Sequence, residues 1–154
     1  MIELKLVLPQ EAAQLLAMQR AAFMPLLEKY HDDATNPACE SQQRVLARIT
    51  QPGSFYYWIV LNQTRIGAVR VLDRKNGERK KISPIFILPQ YQNRGYAQRV
   101  FALLESAHGQ SNWGLATIEQ ETRCCYLYEK LGYTRTGERT TVNSRMTIVG
   151  YVKG

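Results

Sequence analysis

The sequence predicts a mixed α/β fold built as one domain over residues 1–154, and three observations carry the prediction. Runs with apolar residues at every second position alternate with runs at helical spacing along the chain. No internal repeat, low-complexity tract or Gly/Ser/Pro-rich linker interrupts that alternation, and 154 residues suit one core. The composition, 45% hydrophobic and 21% charged, is that of an ordinary globular protein and excludes a chain disordered as a whole.

Each element follows from local pattern. Ile2 to Val7 predicts a first strand. Pro9 suits a first helical turn, after which Ala12, Leu15, Leu16, Ala22, Phe23, Leu26 and Leu27 keep helical spacing. Pro25 should kink or interrupt that helix. His31 to Glu40 reads as a polar loop, and Ser41 to Ile49 as a short helix with Val45, Leu46 and Ile49 inward. Phe55–Leu61 and Ile66–Leu72 are β-rich and joined through residues 62–65 by a hairpin. Asn76-Gly77 predicts a type I′ turn, with positive φ at both positions, leading into a fourth strand from Lys80 to Leu88. Pro84 withholds one ladder donor there, so a bulge is expected.

A helix from about Gly95 to His108 carries Ala97, Val100, Phe101, Leu104 and Ala107 on one face and stops at Gly109. Trp113–Ile118 is the fifth strand. Cys124, Leu127, Tyr128 and Leu131 then predict a last helix, with Thr122 as its N-cap and Gly132 as its stop. Strands near Tyr133–Thr141 and Arg145–Val152 close the chain around Asn143-Ser144. The helical crossover makes the fourth and fifth strands parallel in an otherwise mostly antiparallel sheet with helices on both faces.

Charge and cysteines narrow the function classes. Twenty Lys and Arg against thirteen Asp and Glu give +7, which favours an anionic partner: nucleic acid, a membrane surface or a polyphosphate ligand. The longest apolar run, Phe55–Leu61, is far short of the roughly 18 residues of a membrane span, and the N-terminus shows no secretory pattern. Cys39, Cys124 and Cys125 are an odd count without a CxxC spacing, which argues against a disulfide framework and for a cytoplasmic setting. Neither His31 nor His108 stands at a zinc-site spacing from a cysteine, so no metal is expected.

The most informative segment is Ile87-Leu88-Pro89-Gln90-Tyr91-Gln92-Asn93-Arg94-Gly95-Tyr96-Ala97, where a strand feeds a turn that opens an amphipathic helix. A helix start offers unpaired NH groups and a positive dipole end to an anionic phosphate. Gly95 permits close backbone approach, and Arg94 and Arg99 add charge. No Walker Gly-Lys-Ser/Thr or GxGxxG pattern is present. Gln92-Asn93-Arg94-Gly95-Tyr96-Ala97 resembles the Q/R-x-x-G-x-G/A motif of the GCN5-related N-acetyltransferase family, and Tyr128-Glu129-Lys130-Leu131-Gly132-Tyr133 resembles that family's Y-E-K-L-G-F segment.

The resemblance implies parallel strands splayed around acetyl-CoA and acetyl transfer to an amine by direct attack. It places the cosubstrate on Gln92, Asn93, Arg94, Gly95, Tyr96 and Ala97, with backbone NH groups near Ile87 and Leu88 serving pantetheine and a developing oxyanion. Glu121 and Cys124 stand where the family often has Asn and, three positions on, Ala, and they become the corresponding cosubstrate contacts. Tyr128 is the implied general acid for the departing thiolate. A free alkylamine must lose a proton near neutral pH, and Glu119 is the expected base, with a water chain or Glu121 as the alternatives. Tyr30, Asp32 and Asp33, in and beside the loop after the first helix, are the expected acceptor contacts, an aromatic surface with carboxylates suited to a cation. Two readings rank below this one: a basic nucleic-acid or ribosome-associated protein acting through Arg74, Lys75, Arg79, Lys80 and Lys81, and a CoA-binding sensor without catalysis. The acceptor's identity and the choice between monomer and homodimer stay open.

Overall fold

The expected elements occur in the expected order in a computed structural model that describes residues 1–154. They are β1 (Ile2–Leu6), α1 (Ala12–Tyr30), α2 (Gln42–Thr50), β2 (Ser54–Leu61), β3 (Thr64–Leu72), β4 (Lys80–Ile87), α3 (Tyr96–His108), β5 (Trp113–Ile118), α4 (Thr122–Lys130), β6 (Thr134–Asn143) and β7 (Met146–Lys153). The strands form one sheet in the order β1-β2-β3-β4-β5-β7-β6, antiparallel throughout except for β4 beside β5.

Side-chain alternation builds two cores from this one sheet. Tyr56, Trp58 and Val60 of β2 pack under α1 and α2 with Leu15, Leu16 and Val45. Ile59, Val69 and Val71 face the other way, towards Val100, Phe101 and Leu104 of α3 and Tyr128 of α4. Burying a ring such as that of Phe101 contributes about 1.5–3 kcal/mol. Two residues expected inward are not: Leu46 and Ala107 are exposed, and the His108 side chain takes the inner place at the end of α3.

Local chemistry explains the remaining differences. The helix α1 runs through Pro25 without interruption, since the proline deletes only its own donor to the Ala21 carbonyl. The I′ geometry falls at Asn62-Gln63, where both φ values are positive (47° and 72°), and the strands continue up to these two residues. The Asn76-Gly77 segment is instead part of a longer loop between Leu72 and Lys80, with Lys75 and Gly77 in positive φ. That loop is tied down by Asp73 and Asn112, whose side chains bond its backbone. The expected bulge is present: Ser83 and Pro84 of β4 together oppose Arg70 of β3. The α4 N-cap is Glu121, whose carbonyl accepts from Cys124 and Cys125, and Thr122 is the first helical residue.

Candidate active site

The strands β4 and β5 have eight and six residues, yet only Lys80–Trp113 and Lys81–Gly114 pair. Beyond Lys81 the two strands part, leaving a gap that opens towards the start of α3. On the β4 wall of that gap the Leu88 NH is not free, because it donates to the Ile66 carbonyl at 2.8 Å. That bond makes Gly67 and Ile87 a non-hydrogen-bonded pair, so the Ile87 NH points away from β3 and into the gap. The expected pair of backbone donors is therefore a single one. The Ile87 carbonyl, on the same side, accepts from Gln92 Nε2 at 2.8 Å.

The turn at residues 92–95 closes one end of the gap. Asn93 and Gly95 take positive φ, 64° and 80°, and no side chain caps the α3 N-terminus. A Cβ built on Gly95 would meet no protein atom within 4 Å, so the space beside it is open to a ligand. Arg94 and Arg99 are exposed, and Arg123 of α4 donates to Asn93 Oδ1 at 2.7 Å, clamping the turn to the opposite helix.

The α4 wall carries Tyr128 and the two cysteines. Tyr128 is 8% exposed, in edge contact with Phe101 and Tyr133 at 5.8 and 6.2 Å between ring centroids. Its hydroxyl makes no hydrogen bond within the chain. Burial and then the nearby Cys124 push its pKa well above the ordinary tyrosine value, so it holds its proton. Cys124 is half-buried, and burial followed by the Glu121 charge raises its thiol as well. Cys125 is the fully buried cysteine.

The carboxylates occupy different environments. Glu119 accepts from Arg139 at 2.6 Å and Arg135 at 2.9 Å, one guanidinium on each oxygen, and these bonds hold its pKa low. With both oxygens engaged, it is poorly placed to serve as the expected base. Glu121 Oε2 accepts from Tyr30 Oη at 2.5 Å and from Lys29 Nζ at 2.8 Å. Burial alone would raise the Glu121 pKa, but the bonds from Lys29 and Tyr30 and the Lys29 charge outweigh it and lower the value. The Tyr30 carbonyl accepts from Asn143 Nδ2 at 2.8 Å, which fixes the end of α1 against β6. Asp32 does not face the gap: it is 5% exposed, accepts from Asn36 Nδ2 at 3.0 Å, and organises its own loop. Asp33 is the exposed carboxylate of that loop.

An open parallel pair, a free strand NH and an uncapped helix start between the strands form a cleft with unpaired helix NH groups at one end. The sequence profile described as "Acetyltransferase (GNAT) domain" matches residues 26–153, spanning every one of these features. The chain belongs to this family. Its activity is acetyl transfer from acetyl-CoA to an amine. No curated protein matches the chain closely enough to count as a relative. Solved structures share the GNAT fold at low identity. An acetyltransferase from Thermus thermophilus is 14% identical with a TM-score of 0.71, covering 99% of this chain and 96% of its own. A spermidine N-acetyltransferase from Vibrio cholerae, in complex with CoA and spermine, is 16% identical with a TM-score of 0.72, covering 97% and 93%. The PaiA N-acetyltransferase from Thermoplasma acidophilum, in complex with coenzyme A, is 12% identical with a TM-score of 0.70, covering 100% and 99%.

Within this GNAT domain, the structure joins Tyr30 and Glu121, which the sequence assigns to different ligands, engages both oxygens of Glu119 with arginines and turns Asp32 into its own loop. Sequence reasoning missed Lys29, Arg123 and Asn143. Lys29 and Glu121 lie 92 positions apart, and no local pattern signals their pairing. Among the helices, none is long and apolar enough to cross a membrane.

Proposed function

We propose that residues 1–154 act as one N-acetyltransferase domain in which Tyr128 is the general acid and Tyr30 with Glu121 receives the acceptor amine. Acetyl-CoA lies along the β4–β5 gap with its phosphates on the turn formed by Gln92, Asn93, Arg94, Gly95, Tyr96 and Ala97. The Ile87 NH donates to the thioester oxygen, Leu88 shapes the wall, and Cys124 packs beside pantetheine. These assignments rest on the open helix start, the free Ile87 NH and the unpartnered Tyr128 hydroxyl. Tyr128 keeps its proton until thiolate forms, because burial favours its neutral state.

The observation that carries the acceptor assignment is the ammonium already seated at Glu121. Lys29 Nζ lies 2.8 Å from its carboxylate and 5.1 Å from the centre of the Tyr30 ring, the surroundings an amine substrate requires. The Lys29 side chain is 59% exposed and free to swing away. An incoming ammonium replaces it, is oriented by Glu121, and sheds its proton to solvent before attack. Glu119, clamped by Arg135 and Arg139, shapes the end of β5 instead of taking that proton. Asp33 adds charge at the entrance. Three free cysteines fit a reducing, cytoplasmic setting.

A turnover screen with thiol-release readout across small amines, polyamines, amino acids and peptides identifies the acceptor. With it, Glu121→Gln should raise acceptor KM about tenfold or more while the acetyl-CoA Kd stays unchanged, and Lys29→Met should lower KM. Unchanged acceptor kinetics in both variants would move the amine site elsewhere.

A further inference from the structure

Three guanidinium groups gather on the sheet face covered by α2. Alternation along β3 turns Arg70 to that face with Ala68, while Val69 and Val71 enter the α3 core. Arg70 is 8% exposed, yet it forms no ion pair. Its Nε donates to the Ser83 carbonyl in the β4 bulge at 2.7 Å, and Nη1 donates to Gln51 Oε1 at 3.2 Å. Both acceptors are neutral, and Nη2 has none within the chain. No fully enclosed side-chain nitrogen in the protein lacks a partner, so Nη2 opens onto the adjoining cavity. That cavity, about 320 Å³, is lined by Arg44, Ala47, Arg48, Gln51 and Arg70.

The local charge is unbalanced. The nearest carboxylate is Glu40, and it is already shared: Oε2 takes Arg48 at 2.8 Å and Arg44 at 3.9 Å, and Oε1 takes Gln19 Nε2 at 2.8 Å. Three guanidinium groups against one carboxylate leave 3 − 1 = +2 around the cavity. A buried guanidinium bonded only to neutral oxygens pays for its desolvation without a counter-charge.

We propose that this cavity is a binding site for a phosphoryl group, held between the guanidinium forks of Arg70 and Arg48. The planar fork presents paired NH donors at the spacing of phosphate oxygens, and the residual charge matches a dianion. Arg44, largely exposed, lines the mouth. Neither the acetyl transfer nor the acceptor assignment depends on this site.

The test is thermal stabilisation by inorganic phosphate, with CoA saturating so that the cleft is filled, against chloride at matched ionic strength. Phosphate should give a saturable rise in Tm that chloride does not, with malonate binding more weakly. Arg48→Gln, at a partly exposed position, should weaken the apparent phosphate affinity at least about tenfold, and Arg70→Met should abolish the response while CoA still stabilises the protein. If Arg70→Met does not fold, Arg48→Gln alone decides. A phosphate response that does not saturate, equals that of chloride, is exceeded by malonate, or persists unchanged in Arg48→Gln would overturn the proposal.

Discussion

The two ends of the β4–β5 pair are lined by the same kinds of side chain and behave oppositely. At the closed end, beside Lys80–Trp113 and Lys81–Gly114, His108 bonds Asp73 Oδ2 through Nδ1 and the Tyr57 hydroxyl through Nε2, each at 2.8 Å. Phe55 and Trp113 stand edge-on to the imidazole at 4.9 and 6.3 Å, and Trp113 Nε1 donates to the Gly109 carbonyl. At the open end Tyr128 also sits among aromatic rings, those of Phe101, Tyr133 and Tyr151, but its hydroxyl has no partner. Apolar surroundings therefore do not distinguish the two ends. Hydrogen-bond satisfaction does: both ring nitrogens of the buried histidine are engaged in tying the end of α3 to β2 and Asp73, and the tyrosine hydroxyl is unengaged.

The largest effect expected from this contrast is at Tyr128. Tyr128→Phe keeps the ring and its packing and removes only the free hydroxyl, so turnover should fall roughly tenfold to ten-thousandfold with CoA affinity retained. Steady-state kinetics beside calorimetric CoA titration reads both quantities, and wild-type turnover would return Tyr128 to the core. Next in size is Gly95→Val. The position has φ of 80° and an open Cβ space, so the substitution costs about 1–2 kcal/mol of backbone strain and puts a branched side chain where phosphate approaches. CoA affinity should drop about tenfold or more in the same calorimetric assay, whereas an unchanged Kd in a folded variant would remove the phosphates from this turn.

The same contrast explains what is legible in the sequence. Strand and helix order follows from short-range period, and the 92–97 turn announces itself because a strand end, a glycine and a helix start must be consecutive. The cap at Glu121 and the I′ geometry of the expected hairpin turn at Asn62-Gln63 are hidden by neighbours that offer equally good local chemistry: Thr122 beside the first, Asn76-Gly77 downstream of the second. Asp32 reads as an acceptor contact because nothing local reveals that Asn36 folds back onto it. The long-range pairs are unreadable. Glu121 with Lys29, Glu119 with Arg135 and Arg139, and His108 with Asp73 depend on where separate elements land against one another.

Asp73→Asn probes the closed end. The substitution removes the anionic acceptor of a buried imidazole and leaves Tyr57 as its other partner, which should cost about 1–3 kcal/mol of stability. Denaturant unfolding should show that loss, and kcat per folded molecule should match wild type. A fall in kcat as large as that of Tyr128→Phe would break the comparison, since it would make the satisfied end part of the chemistry.

The smallest effect is a pH dependence at the open end, and its sign follows from Glu121. The pKa of this carboxylate is lowered from 4.5 in the folded protein, burial being outweighed by the bonds from Lys29 and Tyr30. A depressed carboxylate binds protons more readily in the unfolded chain, so its contribution to stability is complete above 4.5 and is lost as pH falls through the lower folded value. Lys29, raised from 10.5 chiefly by its bond to Glu121, gives the mirror image: its contribution is complete below 10.5 and fades as pH rises through the higher folded value. The stability difference between wild type and Glu121→Gln should therefore be flat from about pH 6 to 9 and shrink on acidification below about pH 4. Urea unfolding at a series of pH values measures it, and salt should diminish the Lys29 share because that side chain is exposed. A difference that persists undiminished to about pH 2.5 would mean that Glu121 is not held as an ion by its two partners, and the amine subsite would lose the charge that defines it.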